Sequence, residues 1–184
     1  MRVGDAALFT AHTSEHGHEL WRTDGTAEGT EVIDINAGDA SSSPDMLRPL
    51  GDRAYLVARD GNEGEQIWLH EPTGLNAIWS GEAEDLVVTA EAAFWIAAGT
   101  EGSKELYRHR PGDPAPEKVE TLDDPRDLLD TLVAGRRHVY FMAHDNTHGY
   151  ELWASDGTTA GTQRWTDISR QDGDSFPVPL AEIQ

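Results

Sequence analysis

The chain contains no cysteine and no long apolar run, and it has very few lysines. The absence of cysteine excludes a disulfide framework and thiolate chemistry. No window approaches the length of a membrane-spanning helix, and residues 1–9 hold no apolar stretch long enough for a signal peptide. The sequence therefore predicts no membrane insertion and no export signal within these residues. Lys104 and Lys118 are the only lysines.

The shortage of basic residues makes the chain strongly acidic. It has 34 acidic and 14 basic residues among 184, which gives a formal net charge of −20 at pH 7. An anionic surface repels nucleic acid and anionic lipid, and it attracts cations and basic partners. We therefore expect no nucleic-acid partner, and the oligomeric state stays open.

Repetition is the main positive feature of the sequence. Gly17–Thr30 returns as Gly149–Thr162, with nine of fourteen positions identical at an offset of 132 residues. Two weaker copies lie between these, and two markers recur with the same spacings of 47, 39 and 46 residues. The markers are an aromatic residue (Trp21, Trp68, Tyr107, Trp153) and an alanine (Ala11, Ala58, Ala97, Ala143). Repeats of this period determine the architecture.

The repeats predict an all-β fold, specifically a β-propeller of four repeats of about 46 residues each. Each period holds about four short segments with the composition of β-strands, separated by turn residues. We treat residues 1–184 as a single domain with repeats at about 1–47, 48–85, 86–129 and 130–184.

The ends of the chain suggest how such a propeller would close. The first copy has no recognisable opening strand, and residues 176–183 resemble residues 43–50, which open the second copy. We expect a closed four-bladed ring in which the C-terminal strand completes the first blade and protects its edge. The alternative is a fragment of a larger propeller or array.

The first copy illustrates the expected local structure. Residues 4–11 are predicted to form a strand, residues 12–18 a polar loop, and residues 19–23 a second strand. Asp24-Gly25-Thr26 is predicted to form a turn, because Asp bonds to its own backbone and Gly accepts positive φ. Residues 30–35 alternate and predict a third strand.

The repeated stretch resembles bacterial proteins built from ELWxxDGT repeats. Copies one and four carry the pattern in full, including its Asp-Ile ending at residues 34–35 and 167–168. Copy two departs from it at residues 66–68 and 71–74, and copy three at residues 111–114. The resemblance implies a propeller-like repeat domain of an exported or surface-associated protein, with a cytoplasmic location left open. It implies no activity and no catalytic residue.

The residues of this signature are expected to shape the fold. They are Glu19, Leu20, Trp21, Asp24, Gly25, Thr26, Trp68, Tyr107, Glu151, Leu152, Trp153, Asp156, Gly157 and Thr158. Each repeated Glu stands two residues before an aromatic residue and so shares its face of the strand. The Glu is either a general acid or ligand contact, or a structural carboxylate that accepts hydrogen bonds between blades; repetition favours the structural role.

Two metal hypotheses arise from the loops. His12, His16, His144 and His148 recur at the repeat offset, and imidazole with nearby carboxylates suits zinc. Residues 60–65 and 172–174 cluster oxygen ligands of the kind that calcium prefers, although neither follows the spacing of a known calcium loop. We otherwise expect no cofactor. No phosphate-binding loop, nucleophile elbow or His-Glu-x-x-His run is present.

These observations favour a non-enzymatic binding or scaffold propeller that presents rim loops to a protein or a glycan. One alternative is a hydrolase or lyase acting on polysaccharide, since propeller enzymes draw paired carboxylates from different blades. Another is an architectural segment of a longer surface protein. An enzyme needs polar residues that do not repeat, and copies two and three are degenerate enough to supply them.

Overall fold

The computed structural model describes residues 1–122, 132–145, 147–166, 168 and 173–178. These residues form sixteen β-strands and one 3-10 turn at Thr100–Gly102, and none of them lies in an α-helix. No helix in the described ranges is long and apolar enough to cross a membrane. Contacts divide the chain into two compact units, Met1–Ala83 and Glu84–Gln184. The single domain over residues 1–184 stays a prediction.

The first unit contains two four-stranded antiparallel sheets, in which strands follow one another in chain order. The first sheet consists of β1 (Arg2–Val3), β2 (Ala6–Thr13), β3 (Gly17–Thr23) and β4 (Glu31–Ile33). The second sheet consists of β5 (Asp45–Leu50), β6 (Arg53–Arg59), β7 (Glu65–Glu71) and β8 (Gly74–Ser80). A shared core packs these sheets together, and its fully buried members include Leu8, Leu20 and Leu56.

The second unit repeats this arrangement. The third sheet consists of β9 (Ala83–Val88), β10 (Ala93–Ala98), β11 (Lys104–His109) and β12 (Glu117–Leu122). The fourth sheet consists of β13 (Val133–Ala134), β14 (Val139–Asp145), β15 (Gly149–Ser155) and β16 (Gln163–Arg164). Phe94, Ile96, Leu106, Val139 and Phe141 are buried in the core that packs these two sheets.

The strand register reproduces the two markers of the sequence. In every sheet the marker alanine of the second strand lies opposite the repeated Glu, or Gln, of the third strand. The four pairs are Ala11 with Glu19, Ala58 with Gln66, Ala97 with Glu105 and Ala143 with Glu151. The predicted all-β architecture of four four-stranded repeats is therefore confirmed.

The prediction that the first copy lacks its opening strand is wrong. Arg2 and Val3 form β1 and pair with Ala7 and Ala6. The N-terminal ammonium group also donates a hydrogen bond of 2.6 Å to the carbonyl of Leu8. A strand of two residues is too short to produce a periodic pattern, which is why the sequence did not reveal it.

The first sheet thus has four strands without a contribution from the C-terminus. Residues 173–178 are described and form no strand, and residues 179–184 lie outside the described part, as do residues 123–131 before the fourth sheet. Closure of the ring by the C-terminal segment stays a prediction.

The predicted loop over residues 12–18 is shorter in the structure, where only residues 14–16 form a turn. β2 runs to Thr13 and β3 begins at Gly17, so that His12 pairs with His18 across a short hairpin. Gly17 has a φ of +63°, which a residue with a side chain rarely adopts. Polar residues fit these strands because the hairpin end is partly exposed and needs no apolar alternation.

Candidate functional site

The repeated Glu19 is a fully buried carboxylate, with no exposed surface. Its Oε1 accepts a hydrogen bond of 2.6 Å from the backbone N–H of Ser42, and its Oε2 accepts one of 3.0 Å from the N–H of Ile35. The hydroxyl of Ser42 also donates to Oε2. The carboxylate therefore ties β3 of the first sheet to the segment that leads into the second sheet.

Glu151 makes two corresponding contacts in the fourth sheet and is equally buried. Its Oε2 accepts 3.0 Å and 2.8 Å hydrogen bonds from the N–H of Ile168 and the hydroxyl of Ser175. Ile168 and Ser175 follow Glu151 at nearly the same sequence separations as Ile35 and Ser42 follow Glu19. Each carboxylate thus serves internal bonds, which stabilise it away from water.

The weaker copies depart from this pattern. Gln66 replaces Glu in the second sheet, and its amide nitrogen lies 3.3 Å from Glu63 Oε2. Glu105 in the third sheet accepts hydrogen bonds from the Tyr107 hydroxyl at 2.7 Å and from Lys118 Nζ at 3.0 Å. The hydroxyl of Tyr107 and the cation of Lys118 lower the pKa of Glu105. Burial raises the pKa of Tyr107 to about 12, with the bond to Glu105 adding to the effect.

The apolar signature residues pack against the sheets. Leu20 is fully buried, and Trp68 and Trp153 pack on the cores of their units. Trp21 stacks on Phe9 with ring centroids 6.3 Å apart, and Tyr107 stacks on Trp95 at 5.7 Å. Leu152 is half-buried.

The Asp-Gly-Thr stretch forms a self-contained turn. Asp24 Oδ1 accepts hydrogen bonds from the N–H and the hydroxyl of Thr26, at 2.9 and 2.7 Å. Thr26 in turn accepts from the N–H of Gly29 at 3.0 Å, and Gly25 has a φ of +97°. These bonds from Thr26 lower the pKa of Asp24. The predicted turn chemistry is confirmed.

The second copy of the turn has the same bonds. Asp156 Oδ1 accepts from the N–H and hydroxyl of Thr158 at 2.9 and 2.7 Å, and Gly157 has a φ of +86°. The hydroxyl of Thr158 lowers the pKa of Asp156. A Cβ added to Gly161 would lie 2.1 Å from Asp156 Oδ1. A side chain at this last glycine of the motif would therefore clash with the turn.

The four histidines named as zinc candidates occupy strands and turns. His12 lies in β2 and His144 in β14, whereas His16 and His148 lie in the turns that follow. His16 Nδ1 is 3.3 Å from Asp34 Oδ2. Within the described ranges, no group of three or more His, Asp or Glu side chains is placed to hold a metal ion. The zinc site stays a prediction.

The carboxylates of the acidic loop are engaged in hydrogen bonds. Asp60 Oδ1 accepts hydrogen bonds from the backbone N–H groups of Asn62 and Glu63, at 2.8 and 3.0 Å, and these bonds lower its pKa. Glu63 Oε2 accepts from the Ser80 hydroxyl at 3.0 Å. Asp174 Oδ1 accepts from the N–H of residue 150 at 3.0 Å, and Asp172 lies outside the described residues. A calcium ion would have to compete with these donors.

A cleft of about 280 Å³ lies between the first and second sheets, within the first unit. Asp5 and Arg22 line it from the first sheet, and Asp52 and His70 line it from the second. The side chain of Arg22 is 39% exposed and lies 3.6 Å from Glu31. Asp52 accepts a 3.0 Å hydrogen bond from Arg53. These groups lie outside the repeat signature, and we take this cleft as the candidate functional site.

His70 is the residue that distinguishes the cleft. It is only 8% exposed, and its Nδ1 has no hydrogen-bond partner in the described part of the chain. Burial lowers its pKa, and the nearby Arg22 guanidinium lowers it further. The imidazole is therefore neutral near pH 7. His109 stands at the same position in the third sheet, but its Nε2 is 3.2 Å from the carbonyl of Asp113.

The equivalent place in the second unit is filled. Arg108 corresponds to Arg22, and it donates a 3.1 Å hydrogen bond to the carbonyl of Gly157. Phe94, the cross-strand partner of Arg108, also packs there. A Cβ on Gly157 would lie 2.5 Å from Arg108 Cδ and 3.0 Å from Phe94 Cζ.

In the first unit the corresponding residues are Leu8, the cross-strand partner of Arg22, and Pro72. Leucine is smaller than the phenylalanine at this place, and the proline ring prevents the close approach that Gly157 permits. These substitutions leave the cleft open. Val3 adds a third apolar wall.

The sequence reasoning did not select these residues. One signal was present: two positions after the aromatic marker, the full copies carry Thr23 and Ser155. Their hydroxyls accept hydrogen bonds of 3.0 Å from the glycine N–H groups of the turns. Copy two has lost that hydroxyl and carries His70, so a polar residue of different chemistry replaces a turn residue there.

No family model and no curated protein matches the chain. Solved structures do match. The acylaminoacyl peptidase of Pyrococcus horikoshii is 14% identical with a TM-score of 0.60, over 91% of this chain and 26% of that chain. TolB from Acinetobacter baumannii is 15% identical with a TM-score of 0.51, over 90% of this chain and 41% of that one.

A third match is the β-propeller domain of the Trilobed protease from Pyrococcus furiosus, which has an open velcro topology. It is 11% identical with a TM-score of 0.58, over 90% of this chain and 55% of that one. The chain therefore spans between about a quarter and about half of the length of these structures. At these identities the similarity concerns the fold alone: the four four-stranded sheets are of the β-propeller type.

Proposed function

We propose that the chain is a non-enzymatic binding domain that presents the loops and clefts of its propeller sheets to a protein or a glycan. The observation that carries this proposal is that the repeated carboxylates are engaged in hydrogen bonds within the fold. Glu19 and Glu151 are fully buried, and Asp24 and Asp156 bond to their own turns. These residues form the framework, and the groups left for a partner lie outside the repeat signature.

Catalysis on a polysaccharide requires two carboxyl groups that flank the scissile bond and reach the substrate. Glu19 and Glu151 have no exposed surface and are occupied by backbone and hydroxyl donors. Of the two partner classes, a glycan is favoured, because the candidate site is concave and combines polar with apolar side chains rather than being an exposed apolar patch.

A glycan array with a parallel assay for released reducing ends or unsaturated products tests this function. The expected result is binding of at least one glycan without product formation. Product release from a bound glycan would replace the proposal with a hydrolase or lyase. An array on which nothing binds would favour the architectural role.

We also propose that the chain belongs with the ELWxxDGT-repeat proteins and works outside the cell or on its surface. The motif in copies one and four supports the first part. The second part rests on that resemblance. Fractionation of the producing cells tests the location: recovery of the protein from the medium or surface fraction is expected, and recovery from the cytoplasm alone would contradict it.

A further inference from the structure

We propose that the cleft between the first and second sheets binds one saccharide unit of an uncharged glycan. This inference rests on the proposed binding function and assigns it a place and a ligand class. The position corresponds to the filled contact of Arg108 and Phe94 with Gly157 in the second unit, so the first unit has a built recess where its repeat partner has none.

Polar groups of the cleft match hydroxyl chemistry. A sugar hydroxyl donates one hydrogen bond and accepts two. The carboxylates of Asp5 and Asp52 accept such bonds, and the guanidinium of Arg22 donates them. His70 is more than nine-tenths buried, and its Nδ1 lacks a partner among the described residues. An entering hydroxyl group supplies the hydrogen bond that this imidazole lacks, which offsets the cost of a buried unpaired polar atom.

The charge of the site selects against acidic ligands. Two carboxylates and one guanidinium line the cleft, and that guanidinium lies near a third carboxylate, Glu31. The whole chain carries a net charge of −20. An anionic sugar or phosphate would enter against this field, whereas a neutral sugar meets no such barrier.

The size and apolar walls of the cleft agree with a single sugar ring. Its volume of about 280 Å³ lies near the lower end of ligand pockets. Pro72 is exposed and supplies apolar surface, which suits the C–H face of a pyranose ring, with the buried Val3 and Leu8 behind the cleft. A larger ligand would extend from the opening into solvent, as the rest of a glycan chain does.

The test is a titration of the whole chain, followed by amide and imidazole NMR signals. The probes are the methyl glycosides of glucose, galactose and mannose and free N-acetylglucosamine, with glucuronate as the charged comparison. We expect at least one neutral probe to shift the signals of His70, and glucuronate to bind at least about tenfold more weakly.

Three variants locate the site. His70→Ala removes the imidazole, Leu8→Phe fills the cleft as Phe94 does in the second unit, and Asp5→Asn changes an exposed carboxylate with little effect on folding. Each is expected to weaken binding by about tenfold or more. His12→Ala, at an exposed histidine of the first sheet, is the control for His70→Ala and keeps the wild-type affinity. Asp5→Asn provides the result if Leu8→Phe fails to fold, as judged by the dispersion of its amide signals.

Three results would overturn the inference. Silence of every neutral probe at concentrations up to about 50 mM would exclude a saccharide site of useful affinity. Tighter binding of glucuronate would identify an anion site. Wild-type affinity in both His70→Ala and Asp5→Asn would show that the sugar binds at another place on the chain. In that last case glycan binding persists, so the proposed function survives the failure of this site; a silent glycan array would remove both.

Discussion

The buried carboxylate of Glu19 offers the sharpest test of the framework. The variant Glu19→Gln keeps the shape of the side chain and replaces one carboxylate oxygen with an NH₂ group. Oε1 accepts from the N–H of Ser42 and Oε2 from the N–H of Ile35. Whichever oxygen is replaced, the backbone N–H of the buried Ser42 or of the half-buried Ile35 therefore faces an N–H group and loses its acceptor.

The magnitude follows from those bonds. Hydrogen bonds to a charged acceptor contribute about 1.5–3 kcal/mol, and a buried donor left unpaired costs about 1–3 kcal/mol. Because these two contributions overlap, we expect Glu19→Gln to reduce the free energy of unfolding by about 2–4 kcal/mol. For a unit of this size, that corresponds to a drop in melting temperature of about 8 °C or more.

Glu105→Gln is the matched control, because Glu105 occupies the same repeat position. Its side chain is 16% exposed, and one of its partners, Lys118, is 48% exposed. Solvent screens such a pair, so its loss is expected to cost about 1 kcal/mol or less.

Urea unfolding at neutral pH measures both variants, and hydrogen exchange at the Ser42 amide assigns the loss to the right place. The reasoning would be refuted if Glu19→Gln changed stability by less than about 0.5 kcal/mol. It would also be refuted if the Glu105→Gln control lost as much.

The remaining predictions concern the turns and the cleft. Gly29→Ala should destabilise the first sheet by about 1–3 kcal/mol, because the added Cβ would lie 2.1 Å from Asp24 Oδ1; the neighbouring Glu28→Ala should be neutral in the same thermal melt. Since the pKa of Asp156 is lowered in the folded chain, its contribution to stability is present above its ordinary value of 3.8 and is lost as the pH falls below it. Asp156→Asn should therefore show a weaker acid dependence of melting temperature, and an unchanged dependence would contradict the turn geometry. Burial lowers the pKa of His70 from 6.5, so the unfolded chain binds more protons there and stability declines as the pH drops through that value. Melting curves of His70→Asn between about pH 7.5 and 5 should be flatter than those of the wild type; parallel curves would show that His70 does not titrate differently on folding.

Much of the fold could be predicted because the repeat fixes strand register. The alanine marker and the aromatic marker recur with the same spacings in the sequence. The structure accounts for this, because Ala11 pairs with Glu19 and Ala58 pairs with Gln66 on neighbouring strands. The turn at Asp24 was equally accessible, since its bonds join residues two to five positions apart. Local contacts leave local patterns, and sequence reasoning detects them.

The missed features depend on length or on packing between sheets. β1 at Arg2–Val3 is too short to carry a period. The cleft at His70 exists because Leu8 and Pro72 stand where the second unit has Phe94 and Gly157. The effect of that difference on the cleft is visible only when neighbouring sheets are placed against one another. No window of the sequence contains both sides of the cleft.

The contacts of the two repeated glutamates have a consequence for where the repeat accepts a change in length. Ser42 lies 23 residues after Glu19, and Ser175 lies 24 residues after Glu151. The contact is preserved although the intervening length differs by one residue. The extra residue lies before Ile168, because Ile35 follows Glu19 by 16 residues and Ile168 follows Glu151 by 17. The stretch around the fourth strand is therefore where the repeat accepts a change in length, and the connection from the Ile to the Ser keeps the same length in both copies.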